Sequence, residues 1–363
     1  MKGLPENLTL KTPAKINLFL HVKGKRSDGY HDIITVFQMI DLWDQIVLKR
    51  SQNLDVICSN PEIPSGQENL IYKAMLKIKE HSGYKHGAKI TLIKDIPVAA
   101  GLGGGSSDAS ATLFGLNILW GLGYDNERLK SFARELGSDI PFFLNGPAAI
   151  GYNRGEELIP LDNNTDYWFL ITNPGIPVST AWAYSEFSSE NTFCSPSPFL
   201  PSPSPPPIKG GGGGILGIPS NLPSPCGRGL RGGGFSSSLN NNYKWIGPFS
   251  ETKIELTNMV CHIKIPLPDC FRVERGKIWF LPFNDLEEVV IKRHQIIKQI
   301  KEKMVACGAL YSLMSGSGST VFGIFIDRKS AERADKVLHG PGWRSWIVKA
   351  LKSSPYSYYN YQT

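Results

Sequence analysis

The chain has 363 residues, of which 41% are hydrophobic, 10% aromatic and 20% charged, so it can bury a sizeable core and wholesale disorder is excluded. This length predicts one large or two ordinary domains. Lys and Arg number 39 against 32 Asp and Glu, and this mild excess of +7 is weak evidence for a polyanionic partner.

Neither the apolar runs nor the cysteines suggest a membrane or an oxidising compartment. No apolar run is long enough for a transmembrane helix, and the N-terminus lacks the apolar core of a signal peptide. Six scattered cysteines without C-x-x-C or Cys/His ligand spacing predict reduced thiols, with neither a disulfide framework nor a zinc site. We therefore expect a cytoplasmic protein without membrane or nucleic-acid partners, and we assign no metal ligands.

The first half of the chain has the apolar periodicity of a mixed α/β protein. Strands are expected at residues 15–22, 34–39, 45–50, 88–93 and 168–172. Helices are expected at residues 69–81, 106–120 and 126–136.

The last third continues the mixed pattern. Apolar positions predict one long helix over residues 285–305, two strands at 309–314 and 321–326, and a helix at 329–338. The Tyr-rich tail over residues 353–363 has no clear assignment.

Residues 194–242 differ in composition from the rest. Pro, Gly and Ser make up 30 of these 49 residues, with three basic residues and no acid. Such a segment cannot bury enough apolar surface to offset the entropy of ordering it. It predicts a disordered insert, with a proline-rich ligand for a partner domain as the alternative.

The strongest motif is PVAAGLGGGSSD at residues 97–108, the first glycine loop, where a strand ends and an apolar helix begins. Glycines let backbone N–H groups approach a ligand, and a helix N-terminus adds unpaired N–H groups and a positive dipole end. The motif predicts a di- or triphosphate site, with Ser106 and Ser107 as further donors or water-mediated magnesium contacts. It is neither a P-loop nor a dinucleotide fingerprint. A flexible turn capped by Ser106 is the alternative.

A second glycine loop, MSGSGSTV at residues 314–321, lies between two predicted strands. Gly/Ser-rich turns are common, so this motif alone is a weak signal. Together with the first glycine loop it suggests two walls of one phosphate-lined cleft.

Four polar residues in three segments stand in otherwise apolar or turn-forming surroundings. Lys15 lies in an apolar strand, where a lysine is unfavourable unless paired, although an edge-strand lysine could reach solvent. Tyr30 and His31 follow a turn and could stack on and hydrogen-bond a base, although a lone histidine is more often structural. Asp139 is an acidic residue within the mostly apolar segment LGSDIPFF at residues 136–143. It could be a catalytic acid or base, or it could only cap a helix or form a turn.

These clusters, in this order, resemble the GHMP kinase superfamily, which includes galactose, homoserine, mevalonate and phosphomevalonate kinases. The similarity is tightest to members that phosphorylate a diphosphocytidyl polyol in isoprenoid precursor biosynthesis. The matching motifs are PAKINLFL at 13–20, RSDGYH at 26–31, ENLI at 68–71, GLGGGSSDA at 101–109, IPVSTAWAY at 176–184, NDLE at 284–287 and residues 314–323.

The resemblance implies an α+β fold of two domains with the active site in the cleft between them. It implies an ATP-binding domain over residues 1–165, a second domain over 166–330 that the insert interrupts, and a helix and tail over 331–363. The implied reaction moves the γ-phosphoryl group of ATP, with Mg²⁺, to the 2-hydroxyl of 4-diphosphocytidyl-2-C-methyl-D-erythritol. The alternatives are another small-molecule kinase, of homoserine or mevalonate type, and a non-catalytic nucleotide-binding protein of this fold.

The resemblance also implies roles for individual residues. Asp139 would accept the proton of the substrate hydroxyl, and Lys15 beside it would orient that hydroxyl. The expected ATP-binding residues are Asn69, Leu70, Lys94, Pro97, Gly101, Leu102, Gly103, Gly104, Gly105, Ser106 and Ser107. The expected substrate-binding residues are Asn17, Tyr30, His31, Thr180, Tyr184, Gly316 and Gly318, with Tyr30 and Tyr184 stacking on the cytosine. We expect the small-molecule cytidyl diphosphate as the partner and a monomer or weak homodimer.

Overall fold

The computed structural model describes residues 4–163, 166–190, 254–257, 271–274 and 277–356. The predicted insert over residues 194–242 and the last seven residues of the Tyr-rich tail lie outside the described residues. Helices and strands alternate along the described chain, which confirms the expected α+β class.

Two long antiparallel strands, β1 (Asn7–Lys25) and β2 (His31–Ser51), form the centre of the larger sheet. Residues 34–39 and 45–50 were predicted as two strands, but they belong to the single strand β2. No Gly or Pro interrupts residues 40–44, so the chain stays extended, and shifts in register with β1 absorb the irregularity.

Ten strands of the described residues form this larger sheet. Besides β1 and β2, they are β3 (Leu54–Cys58), β4 (Gly87–Ile93), β5 (Ala148–Asn153), β6 (Glu157–Asn163), β8 (Ile254–Thr257), β9 (Phe271–Glu274), β10 (Lys277–Phe280) and β11 (Phe283–Asn284). Strand β11 pairs in parallel with β1, on the side away from β2.

Four helices belong to the first part of the chain: α1 (Leu70–Ser82), α2 (Gly104–Trp120), α3 (Asn126–Leu136) and α4 (Ile140–Asn145). Helix α2 is apolar around most of its circumference and is largely buried, as expected for a helix surrounded by other elements. It begins two residues before the predicted start, because Gly103 in the left-handed region (φ +68°) occupies the cap position.

The smaller sheet is antiparallel and has, among the described residues, the strand order β12–β13–β7–β14. Its strands are β7 (Trp168–Asn173), β12 (Tyr311–Met314), β13 (Val321–Phe325) and β14 (Arg344–Lys349). The helices of this part are α5 (Thr180–Glu190), α6 (Leu286–Arg293), α7 (Ile296–Ala306) and α8 (Arg328–Asp335).

The prediction of one helix over residues 285–305 was wrong. Helix α6 ends at Arg293, because His294 has non-helical backbone angles (φ −129°, ψ 76°), and α7 begins at Ile296. Val290 and Ile297 are both buried and lie seven residues apart, so the apolar period continues across the break and conceals it.

A shared apolar cluster joins the two sheets. Ile16 of β1, Phe169 of β7 and Phe322 of β13 are all at most 2% exposed within it. Strand pairing also crosses the predicted division of the chain, since β8–β11 pair within the larger sheet and β14 pairs with β7. Beyond β14, the chain returns to β2 through a backbone bond of 2.9 Å from Leu351 N to Met39 O.

Among the described residues, no helix combines the length and the apolar composition needed to cross a bilayer.

Candidate active site

A buried lysine and a partly exposed aspartate form an ion pair at the centre of the site. Lys15 Nζ lies 3.5 Å from Asp139 Oδ2, and the two side chains are 5% and 33% exposed. Lys15 Nζ also donates to Asn17 Oδ1 at 2.6 Å and lies 5.5 Å from the centre of the Phe37 ring. Burial lowers the pKa of Lys15, and the charge of Asp139 opposes that shift.

Lys15 is not a solvent-reaching lysine of an edge strand, and the Asp139 side chain does not cap a helix. Lys15 lies on β1, which pairs with β2 at Met39, and its backbone N–H donates to Leu102 O at 2.9 Å. Asp139 immediately precedes α4 but makes no capping bond with its side chain. Its carboxylate therefore faces Lys15 and an accessible space.

The first glycine loop packs directly against this pair. A Cβ added to Gly103 would lie 3.0 Å from Lys15 Cγ and 3.0 Å from Phe143 Cζ, so a larger residue would press on the side chain of Lys15. The loop ends at the N-terminus of α2, where Gly105 is exposed and Ser106 is partly exposed. Unpaired N–H groups at such a helix start favour an anion.

Ser107 and Lys94 differ from the sequence-based expectation. The Ser107 side chain is fully buried, so its hydroxyl does not reach the surface of the loop. The Lys94 ammonium lies beneath the loop, where it pairs with Asp44 and with Asp108 Oδ2 at 3.1 Å, and its side chain is 6% exposed. A Cβ on Gly104 would come within 2.6 Å of that ammonium, so Lys94 supports the loop from below.

Asn69 and Leu70 lie at the start of α1. The Asn69 side chain caps the helix by accepting from Ile71 N at 2.8 Å and donates to Pro64 O at 2.7 Å. Leu70 is partly buried and approaches the first glycine loop, since a Cβ on Gly105 would lie 3.7 Å from Leu70 Cδ1. Leu70 thus borders the loop, whereas the Asn69 amide holds the preceding segment.

The second glycine loop lies against Lys15 and Asn17 and contacts the first glycine loop. A Cβ on Gly316 (φ +57°) would lie 3.1 Å from Asn17 Oδ1 and 3.4 Å from Lys15 Nζ. Ser315 Oγ accepts from Asn17 N at 3.4 Å and donates to Gly101 O at 3.0 Å. Ser315 therefore joins both glycine loops to β1.

The residues that we expect to bind a nucleobase lie near one another. The two tyrosine rings, however, have different neighbours and are not arranged as two parallel faces for one base. Tyr30 is 57% exposed, and the Arg154 guanidinium lies 5.0 Å from its ring centre. Tyr184 stacks on His31, with ring centres 5.1 Å apart, and His31 Nε2 bonds to Ser188 Oγ. Burial raises the pKa of Tyr184, and the negative charge of nearby Asp139 adds to this shift.

Thr180 begins α5 and connects that helix to the second glycine loop. Its Oγ1 lies 2.8 Å from Ser317 Oγ. Gly318 of the same loop has φ +90°, and a Cβ there would meet Met314 Sδ at 2.6 Å. Thr180 and Gly318 therefore belong to the same loop region as Gly316, which lies beside Asn17 and Lys15.

Sequence reasoning assigned no role to Asn284, Glu287, Ser315 or Arg154. Asn284 and Glu287 hold the second glycine loop from the α6 side, and Arg154 covers one face of Tyr30. The NDLE motif at residues 284–287 was a visible signal for the first two. No sequence pattern indicates that Arg154 meets Tyr30 across the sheet.

Comparisons with known proteins agree with this arrangement. Models of the GHMP kinases N terminal domain and the GHMP kinases C terminal match residues 69–147 and 275–339. The 4-diphosphocytidyl-2-C-methyl-D-erythritol kinase of Geobacter sulfurreducens is 33% identical over 350 residues, which cover 96% of this chain and 99% of that protein. The chain belongs to the 4-diphosphocytidyl-2-C-methyl-D-erythritol kinase family.

Other members and structures support the membership. The Geobacter metallireducens member of the 4-diphosphocytidyl-2-C-methyl-D-erythritol kinase family is 35% identical over 349 residues, covering 95% of this chain and 99% of its own. A crystal structure of 4-(cytidine 5'-diphospho)-2C-methyl-D-erythritol kinase superposes with a TM-score of 0.62, at 27% identity over 94% of this chain and 99% of that one. Homoserine kinase from Cytophaga hutchinsonii shares the fold alone, with a TM-score of 0.57 at 14% identity over 98% of both chains.

Proposed function

We propose that this chain transfers the γ-phosphoryl group of ATP to the 2-hydroxyl of 4-diphosphocytidyl-2-C-methyl-D-erythritol. The observation that carries the proposal is the buried Lys15 ammonium 3.5 Å from the Asp139 carboxylate, where two glycine loops meet. The relatives that match nearly the whole chain are named for this kinase activity. Homoserine and mevalonate kinases share the fold at 12–14% identity, which gives no reason to prefer their substrates.

In phosphoryl transfer the protein mainly positions the two reactants and neutralises the charge of the phosphates, and it need not form a covalent bond to the substrate. Asp139 accepts the proton of the attacking hydroxyl, because its carboxylate is partly exposed and makes no capping bond. Lys15 stabilises the negative charge of the transferring group. Its burial strengthens that interaction, and its bond to Asn17 fixes the direction of the ammonium.

ATP is assigned to the first glycine loop, with its phosphates at the N–H groups that open α2. Mg²⁺ bound with the nucleotide would neutralise phosphate charge, and the partly exposed Ser106 hydroxyl is the group of this loop that would contact it. The buried Ser107 hydroxyl is unsuited to that contact. Leu70 and Pro97 are assigned to the adenine side, while Lys94 acts through the loop it supports.

The cytidyl group is assigned to the region of Tyr30, His31 and Tyr184. Tyr30 has an exposed ring for stacking, and His31 can meet the base edge with Nδ1 because Nε2 bonds to Ser188. Asn17, Thr180, Gly316 and Gly318 are assigned to the erythritol and diphosphate, since Asn17 and Gly316 lie beside Lys15, Thr180 contacts the second glycine loop and Gly318 belongs to it.

We also propose that the chain acts in the cytoplasm as a monomer or weak homodimer, without nucleic acid. Among the described cysteines, Cys58 and Cys307 are free thiols, in keeping with a reducing compartment.

The test is an ADP-release assay with 4-diphosphocytidyl-2-C-methyl-D-erythritol, homoserine and mevalonate as separate acceptors. We expect turnover with the first alone, and at least a ~100-fold loss of kcat in Asp139→Asn with ATP affinity retained. Asp327→Asn, which makes the same charge change at the start of the distant helix α8, serves as the control. Equal turnover with another acceptor would refute the substrate assignment, and normal turnover by Asp139→Asn would refute the base.

A further inference from the structure

We propose that Asn284 is a positioning residue for the phosphoryl transfer, because its side-chain amide holds the second glycine loop against Lys15 and Asn17. The kinetic part of this inference rests on the proposed function. Asn284 lies at the end of β11, is 4% exposed and belongs to neither the catalytic nor the substrate-binding residues assigned above.

Both polar atoms of the Asn284 side chain are engaged. Its Nδ2 donates to Met314 O and to Gly316 O, each at 2.7 Å, and its Oδ1 accepts from Leu286 N at 3.0 Å. Two donors and one acceptor of the amide are thus committed, which fixes the orientation of the group. A buried carbonyl that loses such a partner is costly to leave unpaired, so the amide restrains the loop backbone.

Asn284 restrains a residue that lies close to Lys15 and Asn17. Gly316 adopts φ +57°, and the position of its missing Cβ is 3.1 Å from Asn17 Oδ1 and 3.4 Å from Lys15 Nζ. A shift of the Gly316 backbone toward β1 would press on the lysine, and a shift away would open a gap beside it. Displacements of about 1 Å near reacting groups can cost on the order of 100-fold in rate.

Asn284 is itself fixed to the strand that carries the catalytic lysine. Leu20 of β1 pairs with Asn284 in parallel register, and Asp285 N donates to Leu20 O at 3.0 Å. Asp285 Oδ2 then accepts from Val22 N at 2.7 Å. The amide of Asn284 therefore links Gly316 to β1, the strand that also carries Lys15. The distance between Lys15 and Gly316 is thus set through this strand.

A second contact holds the loop from the same side. Glu287 Oε2 accepts from Met314 N at 2.7 Å, while its other oxygen pairs with Lys301 of α7. Glu287 fixes the start of the loop at Met314, but Gly316 is held by Asn284. Loss of Asn284 therefore frees the Gly316 carbonyl beside Lys15, while Glu287 still holds Met314 and the Ser315 hydroxyl still bonds to Gly101.

The test substitutes Asn284→Ser, with Asn117→Ser as the matched control. A serine at 284 can still accept from Leu286 N, so α6 keeps its start, but its hydroxyl is too short to donate to both loop carbonyls. Asn117 makes a similar pair of bonds to Tyr124, donating to O and accepting from N at 2.9 Å, near the other end of α2. Both variants lose hydrogen bonds of a side-chain amide to backbone groups. Only Asn284→Ser loses them near the ion pair of Lys15 and Asp139.

We expect Asn284→Ser to lower kcat by roughly 10–100-fold with little change in the KM for ATP, and Asn117→Ser to keep both values. Backbone amides of the second glycine loop, which include Ser315 N bonded to Thr320 O at 2.9 Å, should exchange hydrogen faster in Asn284→Ser alone. Asn284→Ser kinetics equal to those of the control, or unchanged exchange in the loop, would overturn the inference. If the wild-type chain fails to phosphorylate the cytidyl substrate, the proposed function fails, and hydrogen exchange still decides whether Asn284 holds the loop.

Discussion

Replacing Gly101 by alanine should separate the two glycine loops and so test whether their contact builds the site. Gly101 has φ +77°, which costs an alanine about 1–2 kcal/mol. Its Cβ would also lie 2.1 Å from Ser315 O, a backbone atom that cannot rotate away. The loops must then move apart by about 1 Å to restore an ordinary contact, which strains the 3.0 Å bond from Ser315 Oγ to Gly101 O.

Gly123→Ala is the matched control, because Gly123 has φ +68° but no atom within 4 Å of an added Cβ. We expect urea unfolding to show a loss of about 1–2 kcal/mol for the control and about 2–5 kcal/mol for Gly101→Ala. Steady-state phosphorylation should fall on the order of 100-fold in kcat/KM for Gly101→Ala only. Equal kinetics and equal stability of the two variants would refute the reasoning that backbone contact between the loops is needed.

Two further predictions concern the nucleobase region and the buried cluster beneath the loop. Tyr30→Ala should raise the KM for the cytidyl substrate by roughly 10–100-fold and leave the KM for ATP unchanged, because stacking of a base on an aromatic ring contributes about 1–3 kcal/mol. An unchanged KM for the cytidyl substrate would contradict the stacking role of Tyr30. Burial raises the pKa of Asp108 from 3.8 to about 6, so the folded chain holds this proton more tightly and stability is lost as the pH rises between these values. Asp108→Asn should remove about 2 kcal/mol of that fall, read from urea unfolding at pH 4 and pH 7, and a parallel fall in the variant would disprove it.

Regular local patterns were enough to predict several elements. The helix over residues 126–136 was predicted to the residue, because Asp125 caps it and Gly137 follows it. The start of α2 was less accurate, since the capping position is a left-handed glycine rather than a serine. The break at His294 could not be read from periodicity, because the apolar faces of α6 and α7 are in phase across it.

The sequence indicated which residues form the candidate site, but not which contacts their side chains make. The motifs indicated Lys15, Asp139 and the two glycine loops, and the resemblance gave them roles. Burial of Ser107 and the use of the Lys94 ammonium beneath the loop depend on tertiary packing, which no local motif encodes. Asn284 was visible within NDLE, yet its function depends on two loop carbonyls some 30 residues later in the chain.

The return of the chain from β14 to β2 has a consequence for biosynthesis. Leu351 N bonds to Met39 O, and the Gln38 amide bonds to Leu351 O across a sequence separation of 313 residues. At translation rates of about 5–20 residues per second, the middle of β2 leaves the ribosome roughly 15–60 s before this partner is made. The native contacts of the Met39 carbonyl and the Gln38 amide with Leu351 therefore form only after nearly the whole chain has been made, although β1 and β5 can pair with β2 earlier.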